Sequence, residues 1–445
     1  MIFEDFQKIV KEEAAKAGLK EYELYYKEEE TTQIRGMKRE ISSFSSDMQC
    51  GVGFRCAIEG KIGYSATEWF TPEQARELVE TAIENAKTLE SEEKAEIYGP
   101  SDHYEEAASL TLAETDLSQA VLKMQEEALG MDSRVQESSM GIAAQVKGAI
   151  RIVNSKGLDL HHEYGVQEAG LIAVVKSGEE QYSGNHFVAK PLERVSLGDL
   201  ARQAVEKTLQ KIDAEVVSTG AYEVIIDGDA MGAIFEAFTP TFQADLVQKG
   251  MSLLKGKEGE KIAADCVTVL DDPFYQDSMV KAPFDAEGTA TYTKTVIEEG
   301  VLKTLLYDQK AAAEAGKATT GNASKAGYAS PVQISPYTFY IKPGKDTLDE
   351  LMAEVGQGVY VTEVTGLHAG TNALTGDFSI ECGGFMIEDG KKGKAIRSFT
   401  ISGNFYEMLL NIQKIGADLQ FQAPEGFTMI GSPSLWVGKL SVAGQ

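Results

Sequence analysis

Histidine is scarce in this chain of 445 residues: His103, His161, His162, His186 and His368 are the whole supply, so a metal or acid–base centre has few groups to draw on. The densest cluster is His161-His162-Glu163. Neighbouring residues of a strand point to opposite faces, so both imidazoles could reach one metal only across a bulge, and the cluster reads as a polar strand end. His368, in Gly366-Leu367-His368-Ala369-Gly370, reads as a solvated histidine in a flexible loop. The cysteines, Cys50, Cys56, Cys266 and Cys382, lack paired zinc-knuckle spacing and are too few for a disulfide framework. Cys50 and Cys56 share parity, which puts them on one face of a continuous strand as small buried hydrophobes. Asp271-Asp272-Pro273 and Asp285-Ala286-Glu287-Gly288 read as acidic turns, with contact to a substrate amine or a cation as the functional alternative. No glycine-rich turn ends in Gly-Lys-Ser or Gly-Lys-Thr, and no Gly-x-Ser-x-Gly elbow occurs. Gly51-Val52-Gly53 lies inside a strand pattern and reads as close strand packing rather than a phosphate cradle.

The elements that must carry these residues follow from periodicity. A first helix over 3–17 sets Phe3, Phe6, Ile9, Val10, Ala14 and Ala17 on one face, and Gly18 stops it. Strands over 22–26, 41–44 and 51–58 lead through Glu59-Gly60-Lys61 to another over 62–65. Thr71-Pro72-Glu73-Gln74 combines an N-cap, a proline at the first helical position and a capping-box Gln74. Leu78, Val79, Ala82, Ile83, Ala86 and Leu89 form the buried stripe of that helix. After a helix over 116–131 a second cycle begins, with strands over 143–153, 158–164 and 170–176, a turn at 178–183 and a helix over 196–211. The turns after Gly60 and Gly178 are candidate equivalents, which would make this half a partial duplication.

Ser218-Thr219-Gly220 marks a boundary, followed by a strand over 222–226 and an apolar segment over 230–238. Hairpins turn at Glu298-Glu299-Gly300 and from Glu388-Asp389-Gly390, helices occupy 347–355 and 405–415, and a strand over 435–442 closes the chain. The expectation is an α+β fold in two closely packed parts. Residues 1–217 form an N-terminal α+β domain of helix-flanked strand repeats, and 218–445 a C-terminal domain of mainly antiparallel β-structure.

Composition narrows the function. The 69 acidic residues against 42 basic ones give a net charge of −27, a field that repels phosphate backbones and anionic membrane surfaces. Neither nucleic acid nor a membrane is an expected partner. The start, Met1 to Phe6, shows no basic region and no apolar leader, and no run approaches the roughly 18 apolar residues of a membrane helix, so a cytoplasmic location is expected.

Several stretches of the second half, in order, resemble the TldD/PmbA family, also called modulators of DNA gyrase. They are Gly259-Glu260-Lys261-Ile262-Ala263, Val269-Leu270-Asp271-Asp272-Pro273, Asp285-Ala286-Glu287-Gly288, Ile297-Glu298-Glu299-Gly300-Val301-Leu302-Lys303, Thr320-Gly321-Asn322 and Thr400-Ile401-Ser402-Gly403-Asn404. Residues 51–65 resemble the same family's N-terminal signature. The resemblance implies a peptidase built from two related subunits that cleaves unfolded peptides. The TldD subunit carries a His-Glu-x-x-x-His zinc motif and a cysteine ligand near its C-terminus, and the PmbA subunit, also called TldE, lacks them.

In that register the motif falls on Phe235-Glu236-Ala237-Phe238-Thr239-Pro240. Phe235 and Pro240 stand where the family places histidines, and neither supplies a zinc donor. Glu236 alone keeps the family letter, and a general base without metal-bound water has little to activate. No cysteine follows Cys382, so 419–431 contains no third ligand. The resemblance therefore implies a non-catalytic PmbA/TldE-like subunit with Phe235 filling the former pocket, no metal or cofactor of its own, and zinc in a TldD-like partner. Unfolded peptide would be held by β-augmentation at a sheet edge near Gly300 or Gly390. Two alternatives remain open: a homodimeric peptide-binding or regulatory protein without protease activity, and a self-sufficient hydrolase with an atypical site on His161, His162 or His368.

Overall fold

The structure is a computed structural model and describes residues 1–89, 96–107, 112–113 and 115–444. Its N-terminal half runs α1 (Phe3–Lys16), β1 (Glu21–Met37), β2 (Glu40–Ile58), β3 (Lys61–Thr67), α2 (Pro72–Thr88), α3 (Leu117–Met131), β4 (Met140–Asn154), β5 (Asp159–Ser177), β6 (Glu180–Ala189) and α4 (Leu197–Leu209). The six strands form one sheet in the order β3-β2-β1-β4-β5-β6. Each half of that sheet is a three-strand meander preceded by one helix and followed by another, and the two copies join where β1 pairs antiparallel with β4. The suspected duplication is thus a repeated αβββα unit, and the turns at Gly60 and Gly178 are its equivalent hairpins, both with positive φ.

The strands run further than their hydrophobic patterns suggest. β2 continues through Ser42, Ser43, Ser45 and Ser46, and the separate strands expected over 158–164 and 170–176 are one strand, β5. Backbone pairing to β1 and β4 carries these stretches without an apolar face of their own. Thr71 caps α2 through Gln74 N–H, but the Gln74 side chain turns to Thr67 and Glu77 instead of completing a capping box. Leu89 lies past the end of α2 and is exposed, so the buried stripe ends at Ala86.

The C-terminal half contains β7 (Gly220–Ile226), α5 (Gly228–Phe238), α6 (Ala244–Gln248), β8 (Val269–Asp271), β9 (Lys294–Glu298), β10 (Val301–Leu302), α7 (Gln309–Ala315), β11 (Ala323–Ser324), β12 (Gln333–Ile334) and β13 (Thr338–Ile341). It continues with α8 (Leu348–Val355), β14 (Gly358–Thr365), α9 (Leu367–Gly370), β15 (Asp377–Glu388), β16 (Lys391–Asn404), α10 (Phe405–Leu410), β17 (Lys414–Ile415), β18 (Gln420–Phe421), β19 (Met429–Ser432) and β20 (Leu435–Ala443). One sheet runs β10-β9-β8-β13-β19-β18 and another β16-β15-β14-β7-β20-β17, in which β16 also pairs with β20 and so closes a ring of strands. Helix α5 packs between the two sheets in the largest core cluster. The helix expected over 405–415 is only α10, because Lys414 and Ile415 leave it to pair with β20. His368 sits on the one-turn helix α9 rather than in a loop, and it is exposed.

Both hairpin edges expected to hold peptide are covered. Beside Gly300, the backbone of 259–262 bonds to Gly300 and Leu302. Beyond Gly390, Glu215 pairs with Ala395 and Arg397, and β20 takes Thr400 to Ser402. An open edge lies elsewhere: among the described residues, 40–51 of β2 pair with β1 on one side, and β3 joins β2 only from Val52 onward.

Candidate functional site

Helix α5 begins where Asp227 Oδ1 accepts the Asp229 N–H, and it carries Phe235 and Glu236 in its last turn. Phe235 is fully buried. Its ring stacks on Phe339 at 4.9 Å and 11°, meets Phe242 edge-on at 6.2 Å, and lies 6.4 Å from Phe405, which itself stacks on Phe238 at 4.3 Å. Pro240 falls in the tight turn Thr239–Phe242. Segment 419–431 does lie against α5: Gln422 Nε2 donates to the Asp229 carbonyl at 2.8 Å and to its carboxylate at 2.9 Å. Glu236 is exposed, and crowding by neighbouring chain, with the Glu425 carboxylate, pushes its pKa up. A zinc ion asks for nitrogen, sulfur or oxygen donors in a convergent set. This place offers a phenyl ring, a proline, an amide already bonded and the two carboxylates of Glu236 and Glu425, with no third donor side chain placed to join them among the described residues, so the residues do not fit the metal.

The remaining candidates do not assemble a substitute. His161 is exposed 3.9 Å from Glu163. His162, one residue on, points to the other face, is buried, and donates Nε2–H to the Lys281 carbonyl at 2.7 Å, with burial lowering its pKa. His368 stands apart on α9. Cys50 and Cys56 share a face of β2 as expected, Cys56 in the core and Cys50 against the Tyr26 hydroxyl. Cys382 is buried in the C-terminal core, where burial raises its thiol to about 12. Among the described residues, no group of three or more His, Cys, Asp or Glu side chains is placed to hold a metal ion.

The acidic signature segments are buried, and one of the two expected turns is a strand end. Asp271 belongs to β8 and is fully buried, accepting from Lys294 Nζ at 2.9 Å, Asn322 Nδ2 at 2.8 Å and Tyr337 N–H at 2.7 Å. Asp285 does form a turn, but a buried one. It accepts the N–H groups of Glu287 and Thr289 at 2.9 Å and of Ala323 at 3.1 Å, which oppose the upward push of burial and Glu287 on its pKa. Glu287 reaches across the domain junction to Arg55 Nη1 at 3.4 Å, while Arg55 Nε donates to Glu23 at 2.8 Å. Burial alone would lower the Arg55 pKa, and these two carboxylates hold it well above its usual value. Gly51 and Gly53 complete the junction: a Cβ on Gly53 would stand 2.0 Å from the Tyr328 carbonyl, so only glycine admits that chain.

The sequence points to the carboxylates and, within Thr320-Gly321-Asn322, to Asn322, but it gives Arg55 and Lys294 no role. Arg55 and Glu287 are 232 positions apart, and no local pattern announces such a pair.

Three family models match in succession: PmbA/TldA metallopeptidase domain 1 over residues 22–86, the central domain over 103–212 and the C-terminal domain over 219–444. An uncharacterized protein of Methanocaldococcus jannaschii is 28% identical over 372 residues, covering 83% of this chain and 85% of its own. A crystal structure from Thermotoga maritima, named as a modulator of DNA gyrase, superposes with a TM-score of 0.90 at 27% identity, over 99% of this chain and 100% of that one. TldE of Thermococcus kodakarensis shares the fold, with a TM-score of 0.89 at 23% identity over 98% and 99% of the two chains. The signature segments, the domain succession and the shared fold agree, and the chain belongs to the PmbA/TldD metallopeptidase family.

Proposed function

We propose that this chain is the non-catalytic, PmbA/TldE-like subunit of a zinc metallopeptidase that acts on unfolded peptides in the cytoplasm, the zinc being held by a TldD-like partner. The observation that carries the reading is the Phe235 stack. At the register position of the first zinc ligand stands a fully buried ring packed on Phe339, Phe242 and Phe405. Such a ring contributes packing to the core and no donor to a metal.

The open edge of β2 supports the partnership. Over 40–51 it leaves one row of backbone groups unpaired by any strand among the described residues, and it exposes Phe44 at 65% and Met48 at 67%. Such an edge is a ready template for another chain's strand. A related subunit of the same fold carries a matching strand, so the edge seats the TldD-like partner and the pair encloses the zinc site. The same edge could pair two copies about a two-fold axis, which is the observation favouring the homodimeric alternative.

The test is reconstitution with a zinc-bearing relative. Native mass spectrometry is expected to show a mixed complex, with chelator-sensitive cleavage of an unfolded peptide by the mixture and none by this chain alone. Cleavage by the lone chain would overturn the reading in favour of a self-sufficient hydrolase. A stable homodimer that ignores the relative would overturn it in favour of the regulatory alternative.

A further inference from the structure

A cleft of about 420 Å³ lies between α4 of the N-terminal half and the closed sheet of the C-terminal half, within the size range of small-molecule sites. Its walls are built by irregularity. β14 skips Thr362 between its pairings to Gly384 and Gly383, and β15 and β16 lose register between Cys382 and Gly384, opposite Arg397 and Ser398. Three adjacent strands thus break at one level, and Thr362, Gly383, Gly384, Arg397 and Ser398 all line the cleft. Bulges re-aim side chains and gather beside functional sites, and here Gly384 is required because a Cβ would stand 2.1 Å from the Tyr360 carbonyl.

The charges in the cleft run against the composition of the chain. Acidic residues outnumber basic ones 69 to 42, yet Lys207, Lys392 and Arg397 enter the cleft without a carboxylate at ion-pair distance among the described residues. Lys211, beside them, does have one, in Glu363 at 2.7 Å. Neutral contacts hold two of the three: Lys392 Nζ donates to Gln210 Oε1 at 3.0 Å, 3.7 Å above the Phe385 ring, and Arg397 Nε donates to the Ala214 carbonyl at 3.0 Å. Asp227 and Glu206 reach the cleft too, but Asp227 Oδ2 accepts the Tyr360 hydroxyl at 2.7 Å and Glu206 pairs with Arg202 at 3.3 Å. Crowding by neighbouring chain lowers the Lys392 pKa, and the Asp227 carboxylate opposes that shift without reaching ion-pair distance.

We infer that this cleft is a binding site for a small oxyanion ligand, carrying a carboxylate or phosphate group that Lys207, Lys392 and Arg397 receive together. It is separate from the degenerate zinc motif: Asp227 and Glu236 stand at opposite ends of α5, about 13 Å apart along its axis. The inference does not depend on the partner reading.

Isothermal titration calorimetry of the full chain tests it with three probes: inorganic phosphate, the tripeptide Ala-Ala-Phe with a free carboxylate, and the same tripeptide as its C-terminal amide. At least one oxyanion probe is expected to bind, and Lys392→Gln and Arg397→Gln each to weaken it by about tenfold without moving the melting temperature, since both side chains are exposed. The free acid binding about tenfold more tightly than the amide identifies a peptide terminus as the source, whereas binding of phosphate alone identifies a phosphate ligand. Failure of both oxyanions to bind, or equal binding by both variants, overturns the inference.

Discussion

Two buried centres of the C-terminal half treat their inherited positions in opposite ways. Around α5, where the resemblance puts the zinc motif, Phe235, Phe238, Phe242, Phe339 and Phe405 form an aromatic core. In the acidic signature segments, Asp271, Asp285 and Glu287 stay carboxyl residues in a buried setting, each oxygen answered by a lysine, an arginine, an amide or a backbone N–H, and Glu287 meets Arg55 of the N-terminal half. An apolar core tolerates loss of chemistry because filling it with rings contributes stability by itself. A buried ionic joint has no such freedom, because removing one member strands the others. The signature carboxylates of this chain are therefore explained by the buried bonds they make, Glu287 among them tying the C-terminal half to Arg55 of the N-terminal half, and Phe235 by packing.

The largest effect that separates the two centres is expected at the joint. Arg55→Met leaves Glu23 and Glu287 buried without their cation and should cost about 3–5 kcal/mol, read from urea unfolding. A loss below about 1 kcal/mol, the size of an exposed pair, would contradict the account.

The aromatic centre comes next. Converting Phe235 and Pro240 together to histidine rebuilds the family motif, but it places an imidazole among phenyl rings, and the variant should lose about 3 kcal/mol of stability. Added zinc should not restore its melting temperature, since 419–431 has no cysteine to serve as the third ligand and Gln422 is already bonded to Asp229. Zinc-dependent recovery would show that the pocket is intact.

A smaller effect concerns pH. Burial depresses His162, and burial with Lys207 depresses His186 to about 4, so the fold keeps both rings neutral. Their contribution to stability is complete above pH 6.5, the ordinary histidine value, and is lost as pH falls below it, for His186 down to about 4, because only the unfolded chain gains the protons. The drop in urea midpoint between neutral and mildly acidic pH should be smaller in His186→Gln than in the unaltered chain, and an unchanged drop would contradict the assignment. Least of all, Glu236→Gln removes an exposed carboxylate and should shift stability by no more than about 0.5 kcal/mol, with no change in cleavage by a reconstituted complex.

How much of this was legible in the sequence depends on the range of the interaction. The helix caps at Thr71, Asp116 and Ser196 are local side-chain-to-backbone bonds, and they stand where periodicity and cap residues placed them. His161 and His162 point to opposite faces of β5, as neighbours in a strand must, and that too is a local property. The serine-rich stretch of β2 was not legible, because pairing to β1 rather than an apolar stripe makes it a strand. Nor were the covered edges at Gly300 and Gly390, each sealed by chain from elsewhere: 259–262 in one case, Glu215 and β20 in the other. At the candidate site the register on Phe235 and Pro240 could be read from the resemblance. The stacking that makes Phe235 a core residue needs Phe339 and Phe405, more than a hundred positions away, and only the fold brings them together.

The central claim is that this chain cannot hold the zinc of its family. The most direct test is inductively coupled plasma mass spectrometry of the purified chain after dialysis against zinc, beside a peptidase assay with and without chelator. The account predicts zinc far below one equivalent and no cleavage. Stoichiometric zinc with chelator-sensitive cleavage would contradict it, and His161, His162, His368 and Cys382 would then be the residues to replace.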